Sequence, residues 1–284
     1  MPSRLQQVVL PDQTRFWCLR PGEVRVIHDS VREYFQHGIC VNDGDIVFDV
    51  GANIGLFAHE ILKLGRRSVS IFSFEPIPAV FAALSENVRA SGVKEWTAWQ
   101  YGLGPEAGTV TFGYLPRASM LSTAYPDDSP RGRRIWRDTV RLNLHRFPWS
   151  IRWVGWLPGF LRDRLLDLGI RRALKTRQVQ CRIRTLSEVV REHSLPRIDL
   201  LKIDVERGEM DVLAGIEAGD WPKIRQVAIE VHDLNCGRVA AVRELLSEHG
   251  FDAITVGQEK MLANTDIFNI YGRRGDAYAR TRAA

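Results

Sequence analysis

The chain has 284 residues, of which 45% are hydrophobic and 26% are charged, so a sizeable buried core is expected and a disordered chain is excluded. The net charge of +5 concentrates in an arginine-rich stretch between Arg131 and Arg177. Four widely spaced cysteines argue against a zinc site and a disulfide framework, and no segment approaches the roughly 18 apolar residues of a membrane span. We therefore expect a cytoplasmic protein.

The first 44 residues predict a cap that precedes the main fold. Residues 7–10 and 16–19 have the pattern of two short strands around a turn. Apolar residues then recur at helical spacing over 24–37, and Gly38 follows as a stop signal. The cap is thus expected to be a hairpin and one helix.

The main domain is expected over residues 45–275, with a tail at 276–284. Strands predicted at 45–50, 69–74, 96–101, 198–203 and 224–231 alternate with helices at 54–64, 79–90, 208–218 and 239–249. Strands at 253–256 and 267–271 close the domain, and a hairpin arm at 108–114 precedes an insertion at about 117–178. This alternation predicts an α/β, Rossmann-like fold with a mostly parallel seven-stranded sheet, helices on both faces, the N-terminal cap and a helical insertion.

A glycine-containing turn follows the first strand of this sheet, in Asp49-Val-Gly-Ala-Asn-Ile-Gly55. Nucleotide ligands bind at such turns because the carboxyl end of the strand and the helix N-terminus converge there. The spacing lacks the middle glycine of the dinucleotide fingerprint, and Asp49 would repel the pyrophosphate of NAD. Asp49 is compatible with the cationic groups of S-adenosylmethionine. We expect Gly51 to allow close approach of the ligand and Gly55 to allow close helix–sheet packing.

A second acidic residue stands at the end of the next strand, in Phe74-Glu-Pro76. Glu75 follows Gly55 by twenty residues, which is the position where an acid accepts hydrogen bonds from ribose hydroxyls in nucleotide-binding folds. Asn53 fits either a cofactor contact or a helix N-cap.

Four blocks in this order resemble the FkbM family of S-adenosylmethionine-dependent methyltransferases. They are residues 49–55, residues 74–76, Leu200-Leu-Lys-Ile-Asp-Val-Glu206 and Glu230-Val-His-Asp233. The resemblance implies O-methylation in polyketide, peptide or glycan pathways. Family members usually place a glycine directly after the I-D-V-E block, whereas Arg207 intervenes here before Gly208. The expected cofactor-binding residues are Asp49, Gly51, Ala52, Asn53, Gly55, Glu75, Pro76, Gly102 and Asp204.

Transfer of a methyl group to a hydroxyl requires removal of the hydroxyl proton. We predict His232 as the general base, because it lies at the ligand-binding edge of the sheet and its ordinary pKa suits this role near neutral pH. Asp233 or Glu230 would orient it, and Asp204 and Glu230 complete the predicted catalytic set. The alternative is a histidine satisfied by local hydrogen bonds.

Three carboxylates near these strand ends suggest a further hypothesis. Asp204, Glu206 and Glu230 offer oxygen ligands for Mg²⁺, which would acidify a hydroxyl acceptor. The alternative is that Asp204 and Glu206 shape the acceptor pocket or pair with Lys202 and Arg207.

The insertion is rich in arginine and tryptophan. Its basic residues include Arg133, Arg134, Arg137, Arg141, Arg146, Arg152, Arg162, Arg164, Arg171, Arg172 and Lys175, interleaved with Trp136, Trp149, Trp153 and Trp156. We expect helices that cover the pocket, while the cations face solvent, bind an anionic carrier or substrate, or touch a membrane surface. An acyl carrier protein is one acidic partner of this kind, and a plain helical insertion is the alternative.

The leading prediction is an O-methyltransferase that acts on a hydroxyl of a small-molecule or carrier-bound natural-product intermediate or of a sugar. An RNA methyltransferase is an alternative suggested by the basic stretch, but the sequence contains no separate RNA-binding module, so nucleic acid is not expected. A non-catalytic partner protein that retains the fold is the second alternative.

Overall fold

The N-terminal residues form a hairpin and a helix, as the sequence predicts. The computed structural model describes residues 5–64, 68–126, 129–142, 144, 152–233, 237–259, 262–263 and 265–275. Strands β1 (Gln6–Val9) and β2 (Arg15–Cys18) pair antiparallel, and helix α1 (Pro21–Ser30) follows. The helix expected over 24–37 begins earlier and continues as a 3-10 helix over Val31–Phe35. It ends before Gly38, whose positive φ of 83° is incompatible with a helix.

Strands and helices then alternate along the chain. The first elements are β3 (Ile46–Val50), α2 (Leu56–Lys63), β4 (Ser70–Phe74), α3 (Pro78–Ser91) and β5 (Trp96–Trp99). Next come β6 (Gly102–Leu103), β7 (Gly108–Tyr114), α4 (Pro130–Leu142), α5 (Gly159–Ala173), β8 (Arg177–Arg184) and α6 (Leu186–Glu192). The last elements are β9 (Leu200–Ile203), α7 (Glu209–Ala214), β10 (Gln226–His232), α8 (Arg238–Glu248), β11 (Ala253–Gly257) and β12 (Ile267–Arg273).

The central sheet has seven strands in the order β11-β12-β10-β9-β3-β4-β5. The pairs between β10, β9, β3, β4 and β5 are parallel, and β12 runs antiparallel to both of its neighbours. The carboxyl ends of the parallel strands therefore share one edge, which is where ligands bind in open α/β sheets.

Two apolar cores lie on the two faces of this sheet. Adjacent residues of β3 alternate between them: Val47 belongs to the core formed with α2, α3 and the N-terminal cap, and Phe48 to the core formed with α6, α7 and α8. Both side chains are fully buried. This alternation is the period-two pattern of a strand covered on both faces, and it confirms the predicted helices on both sides of the sheet.

A second, three-stranded sheet contains the predicted hairpin arm. β7 pairs antiparallel with β8, and β6 pairs parallel with β8. β8 was not predicted from the sequence. Its four exposed positions are arginines and glutamines, so its polar composition continues that of the insertion before it. α6 was not predicted either, although the capping box formed by Thr185 and Glu188 marks the start of that helix.

The insertion is helical and has a small core of its own. α4 and α5 pack together, and Leu144, Val154 and Leu166 form the buried centre. Among the described residues, no helix is both long and apolar enough to cross a lipid bilayer. Several residues named in the sequence analysis lie outside the described residues: Arg146, Trp149, the tail at 276–284 and the cysteine at position 236.

Candidate active site

The turn after β3 is held against the end of β9 by a contact that only glycine allows. Gly51 has a φ of 76°, and a Cβ added there would lie 1.7 Å from the backbone oxygen of Asp204. The N–H groups of Gly51 and Ala52 both donate to the oxygen of Phe74 at 3.0 Å. The absence of a side chain at Gly51 thus allows the backbone of Asp204 to lie against the turn, and Gly51 also lines the cavity described below.

Gly55 allows α2 to approach the sheet closely. With a φ of 93°, it stands where a Cβ would lie 2.7 Å from the Trp96 ring and 2.8 Å from Leu84. The Trp96 indole N–H donates to Ser73 Oγ at 3.0 Å, which fixes the ring. The contacts are those of a packing glycine, the role that the motif spacing suggests for this position.

Glu75 is buried at the end of β4, where two backbone groups hold its carboxylate. The N–H of Asn53 donates to Oε2 at 3.2 Å and the N–H of Ile77 donates to Oε1 at 2.9 Å. Burial raises the pKa of Glu75 to about 8, against the lowering effect of these two hydrogen bonds. Each oxygen retains a lone pair, so the group is able to accept hydrogen bonds from a diol such as ribose.

Asp49 lies below the turn rather than in the cavity wall. Its side chain is fully buried, and Oδ1 is 3.0 Å from Lys202 Nζ on the neighbouring strand. The same ammonium donates to the oxygen of Gly51 at 2.9 Å. Although burial alone would lower it, the carboxylates of Asp49 and Asp204 raise the pKa of Lys202. Burial raises the pKa of Asp49, and the Lys202 ammonium opposes that rise. The contact between the two groups holds the backbone of the turn in place.

His232 stands between two carboxylates at the end of β10. Its Nδ1 lies 2.7 Å from Glu209 Oε1, and its Nε2 lies 3.1 Å from Glu206 Oε2. Burial opposes the charged ring, but the two carboxylates outweigh it and raise the pKa of His232 well above its usual range. The two carboxylates thus favour the protonated form of the ring. The predicted orienting residue Asp233 instead caps α8, since its Oδ1 accepts from the N–H groups of Gly237 and Arg238 at 2.7 Å.

Glu209 is the member of this network that the sequence analysis missed. It is fully buried, accepts from the N–H of Arg207 at 2.9 Å and lies 3.2 Å from Arg238 Nη1. A glutamate in the first turn of a short amphipathic helix usually complements the helix dipole at the surface. The separation of 23 residues from His232 hides the contact, because only the β9–β10 pairing brings α7 to the end of β10.

A cavity of about 1590 Å³ extends from the glycine turn to the insertion. Among the residues expected to bind cofactor, its wall contains Gly51, Asn53, Glu75, Pro76, Gly102 and Asp204. The other three residues that were expected to bind cofactor do not line the cavity: Asp49, Ala52 and Gly55. Glu206 and Glu230 line the cavity, whereas His232 lies behind Glu206.

The volume exceeds the roughly 300–1,000 Å³ that one small ligand occupies, so it offers room for two ligands side by side. Much of the remaining wall is apolar and comes from the insertion, including Val140, Val154 and Ile170. Sequence reasoning could not identify these residues, because an apolar helix position has the same pattern whether it faces a core or a cavity.

The seven-stranded sheet with one antiparallel strand, the glycine turn after its first strand and the acid at the end of the second define a Rossmann-like class I methyltransferase. Proteins of this fold use S-adenosylmethionine as methyl donor. The model of the methyltransferase FkbM domain matches residues 49–253, so the chain belongs to the FkbM methyltransferase family.

Two relatives extend this match to nearly the whole chain. The chain is 34% identical over 283 residues to a protein of Streptomyces tacrolimicus named 31-O-demethyl-FK506 methyltransferase FkbM, covering 96% of this chain and 99% of that protein. It is 32% identical over 286 residues to the AMB antimetabolite synthetase AmbE of Pseudomonas aeruginosa, covering 98% of this chain but 13% of the synthetase. The homologues thus include enzymes of secondary-metabolite biosynthesis.

A solved structure shows the same fold. The chain superposes on the methyltransferase FkbM from Methylobacillus flagellatus KT with a TM-score of 0.51 and 13% identity. The match covers 86% of this chain and 47% of that one.

Proposed function

We propose that the protein is an S-adenosylmethionine-dependent O-methyltransferase that acts on a hydroxyl of a small-molecule or carrier-bound natural-product intermediate or of a sugar. The observation that carries the proposal is the continuous cavity that begins at Glu75 and Gly51 and passes the carboxylates of Asp204, Glu206 and Glu230. A donor site and a set of proton acceptors therefore share one chamber, which is what methyl transfer to oxygen needs.

The residues at the glycine turn suit the donor. Glu75 would accept hydrogen bonds from the ribose hydroxyls, and Gly51, Asn53 and Gly102 would contact the remainder of the cofactor. The bound cofactor supplies an electrophilic methyl group on a sulfonium, whose leaving sulfur takes the electron pair of the broken carbon–sulfur bond. Asp204 lines the cavity with a partly exposed carboxylate and would complement the cofactor's cationic groups.

The carboxylates past the strand ends suit an acceptor hydroxyl. Burial raises the pKa of Glu206, and burial together with Asp204 and Glu206 raises the pKa of Glu230 well above its usual range. A carboxylate with a raised pKa is a stronger base, and a positioned base contributes about 10²- to 10⁴-fold to such a reaction. We propose that Glu206 or Glu230 takes the hydroxyl proton and that His232 holds Glu206 in place through its Nε2.

The same cluster of side chains could alternatively bind a divalent cation. One ligand atom each from Glu206, Glu230 and His232 lies within 4.8 Å of the others, and Asp204 is nearby in the cavity wall. Mg²⁺ would bind the carboxylate oxygens and acidify the hydroxyl. Retention of full activity after treatment with a chelator would contradict this arrangement.

Calorimetric titration of the purified protein with S-adenosylmethionine and S-adenosylhomocysteine tests donor binding. We expect binding of both, weakened at least about tenfold in Glu75→Gln because one of the two oxygens that accept from the ribose hydroxyls becomes an amide NH₂ group. Glu95→Gln, an exposed residue that precedes β5, is the matched control and should bind normally. Absence of binding to the unaltered protein would overturn the proposal and favour a non-catalytic protein that retains the fold.

Methyl transfer is tested with hydroxyl acceptors, beginning with the acceptor in the name of the 34%-identical relative, 31-O-demethyl-FK506. Glu206→Gln and Glu230→Gln should lower kcat while leaving the affinity for S-adenosylhomocysteine unchanged. A carrier-bound acceptor is the next class to test, because the AmbE homologue is part of a larger synthetase. Transfer to RNA, with an affinity that falls steeply with salt, would favour the alternative of an RNA methyltransferase.

A further inference from the structure

The insertion exposes an unusual set of large apolar and aromatic side chains. Trp156 is 93% exposed and Phe160, at the start of α5, is 74% exposed. Leu161, Leu165 and Leu168 of the same helix are also exposed. Isolated exposed apolar residues are ordinary, but a contiguous group on one helix face marks an interaction site.

Arginines share this face, and carboxylates do not. At 3.6 residues per turn, Phe160, Leu161, Leu165 and Leu168 fall within an arc of about 140° of α5 that also contains Arg164, Arg171 and Arg172. We call these seven residues, together with Trp156, the Trp/Arg face. All of them are exposed.

The two acidic residues of α5 lie outside the face. Asp163 and Asp167 are only partly exposed, and they contact Arg162 and Arg137 at 3.6 Å and 3.4 Å. Both carboxylates thus contact arginines that lie outside the face. The face is both apolar and positively charged.

This face borders the cavity. Leu165 and Arg172 belong to the Trp/Arg face and also line the cavity, as does Trp153, which is 49% exposed. A surface that binds the Trp/Arg face would therefore lie next to the cavity.

We propose that the Trp/Arg face docks on an anionic lipid bilayer. Tryptophan and phenylalanine favour the boundary between headgroups and acyl chains, and leucines on the same side bury their side chains there. Arginine extends its apolar stem along this boundary while the guanidinium binds lipid phosphate. The face therefore offers apolar side chains for the acyl region of the bilayer and cations for its anionic headgroups. An acidic protein would account for the arginines but not for the exposed aromatic and aliphatic side chains.

The docked orientation gives an apolar acceptor a route from the bilayer into the chamber, a consequence that rests on the proposed function. The docking itself does not depend on catalysis. It is measured by co-sedimentation of the full chain with phosphatidylcholine vesicles and with vesicles in which about one third of the lipid is phosphatidylglycerol.

We expect binding to the anionic vesicles and little binding to the neutral ones. The double variants Trp156→Ser/Phe160→Ser and Arg164→Glu/Arg171→Glu should each reduce the partition coefficient at least about tenfold. None of the four residues lines the cavity, so calorimetry with S-adenosylhomocysteine should be unchanged in both variants. That measurement reports on the proposed function separately from docking and also shows that each variant is folded.

Control variants carry changes of the same two kinds at exposed positions outside the insertion. Val9→Ser/Leu64→Ser removes two exposed apolar side chains, and Arg243→Glu reverses one exposed charge on α8; both should bind vesicles normally. Equal binding of neutral and anionic vesicles, or equal loss in the controls, would overturn the proposal. So would a protein that binds an acyl carrier protein or a second copy of itself through this face while ignoring vesicles.

Discussion

Lys202 and Asp49 face each other on paired strands, with Nζ and Oδ1 3.0 Å apart and almost no solvent contact for either side chain. The strand register places them opposite each other, and the ammonium group reaches past Asp49 to the backbone oxygen of Gly51. The ion pair therefore joins β3, β9 and the glycine turn.

Removal of either partner should destabilise the protein, because the charge of the other partner would remain buried without its counter-ion. Asp49→Asn and Lys202→Met are each expected to lower the free energy of unfolding by about 3–5 kcal/mol, and the double variant by less than the sum. Urea unfolding of the four proteins measures the coupling. Additive losses would show that the two groups do not stabilise each other.

Glu75 should make the ligand-free protein less stable as the pH rises. Its folded pKa is about 8, whereas an ordinary glutamate has a pKa of 4.5, so between these values the folded state holds a proton that the unfolded state has released. The free energy of unfolding therefore falls through this window, by at most about 1.4 kcal/mol per pH unit from this group. Urea unfolding at pH 5, 6.5 and 8 measures this. The free energy of unfolding of Glu75→Gln should rise relative to that of the unaltered protein as the pH increases, and an equal pH dependence in the two proteins would contradict the raised pKa of Glu75.

His232 should remain protonated through neutral pH. Its raised folded pKa contributes stability that is complete below the unfolded value and is lost only as the pH rises through the folded value. Glu209→Gln removes one of the two carboxylates and should lower the pKa of His232, as followed by its ring resonances in an NMR titration. Glu244→Gln, exposed on α8, is the control and should leave the resonances unchanged.

Substitution of Gly51 and of Gly92 by alanine distinguishes the cost of backbone strain from the cost of a steric overlap. Both have a positive φ, but a Cβ at Gly92 meets nothing within 4 Å, whereas one at Gly51 would overlap the backbone of Asp204. Gly92→Ala should cost about 1–2 kcal/mol from backbone strain alone. Gly51→Ala should cost clearly more and weaken S-adenosylhomocysteine binding, because the turn must move. Thermal unfolding of both variants tests this, and equal losses would exclude the contact with Asp204.

Arg207 occupies a position with a φ of 83°, where the family resemblance leads us to expect glycine. Arg207→Gly and Arg207→Ala lose the same side-chain contacts, so their difference isolates the backbone. We expect the glycine variant to be more stable than the alanine variant by about 1 kcal/mol. Chemical unfolding of the pair measures this difference, and a more stable alanine variant would contradict the left-handed backbone.

The sequence by itself determined the sheet and the position of the donor site. Apolar runs at 45–50, 69–74 and 224–231 have the period of buried strands, and the glycine turn and Glu75 follow directly from strand ends. These are local signals, because the apolar run of a buried strand and the glycine of a turn can be recognised within a few residues of sequence. The four blocks of the FkbM resemblance then fixed the family.

Only the tertiary structure decided how the charged groups are partnered. Glu209 and His232 are far apart in sequence and meet because the parallel pairing of β9 and β10 places α7, which follows β9, at the end of β10. No local pattern records that contact. The same holds for β8, whose partner β7 lies more than sixty residues earlier in the chain. The strand register turned Asp49 toward Lys202 instead of into the cavity. The packing of α5 buried Leu166 but left Arg164, Leu165, Leu168 and Arg171 facing outward.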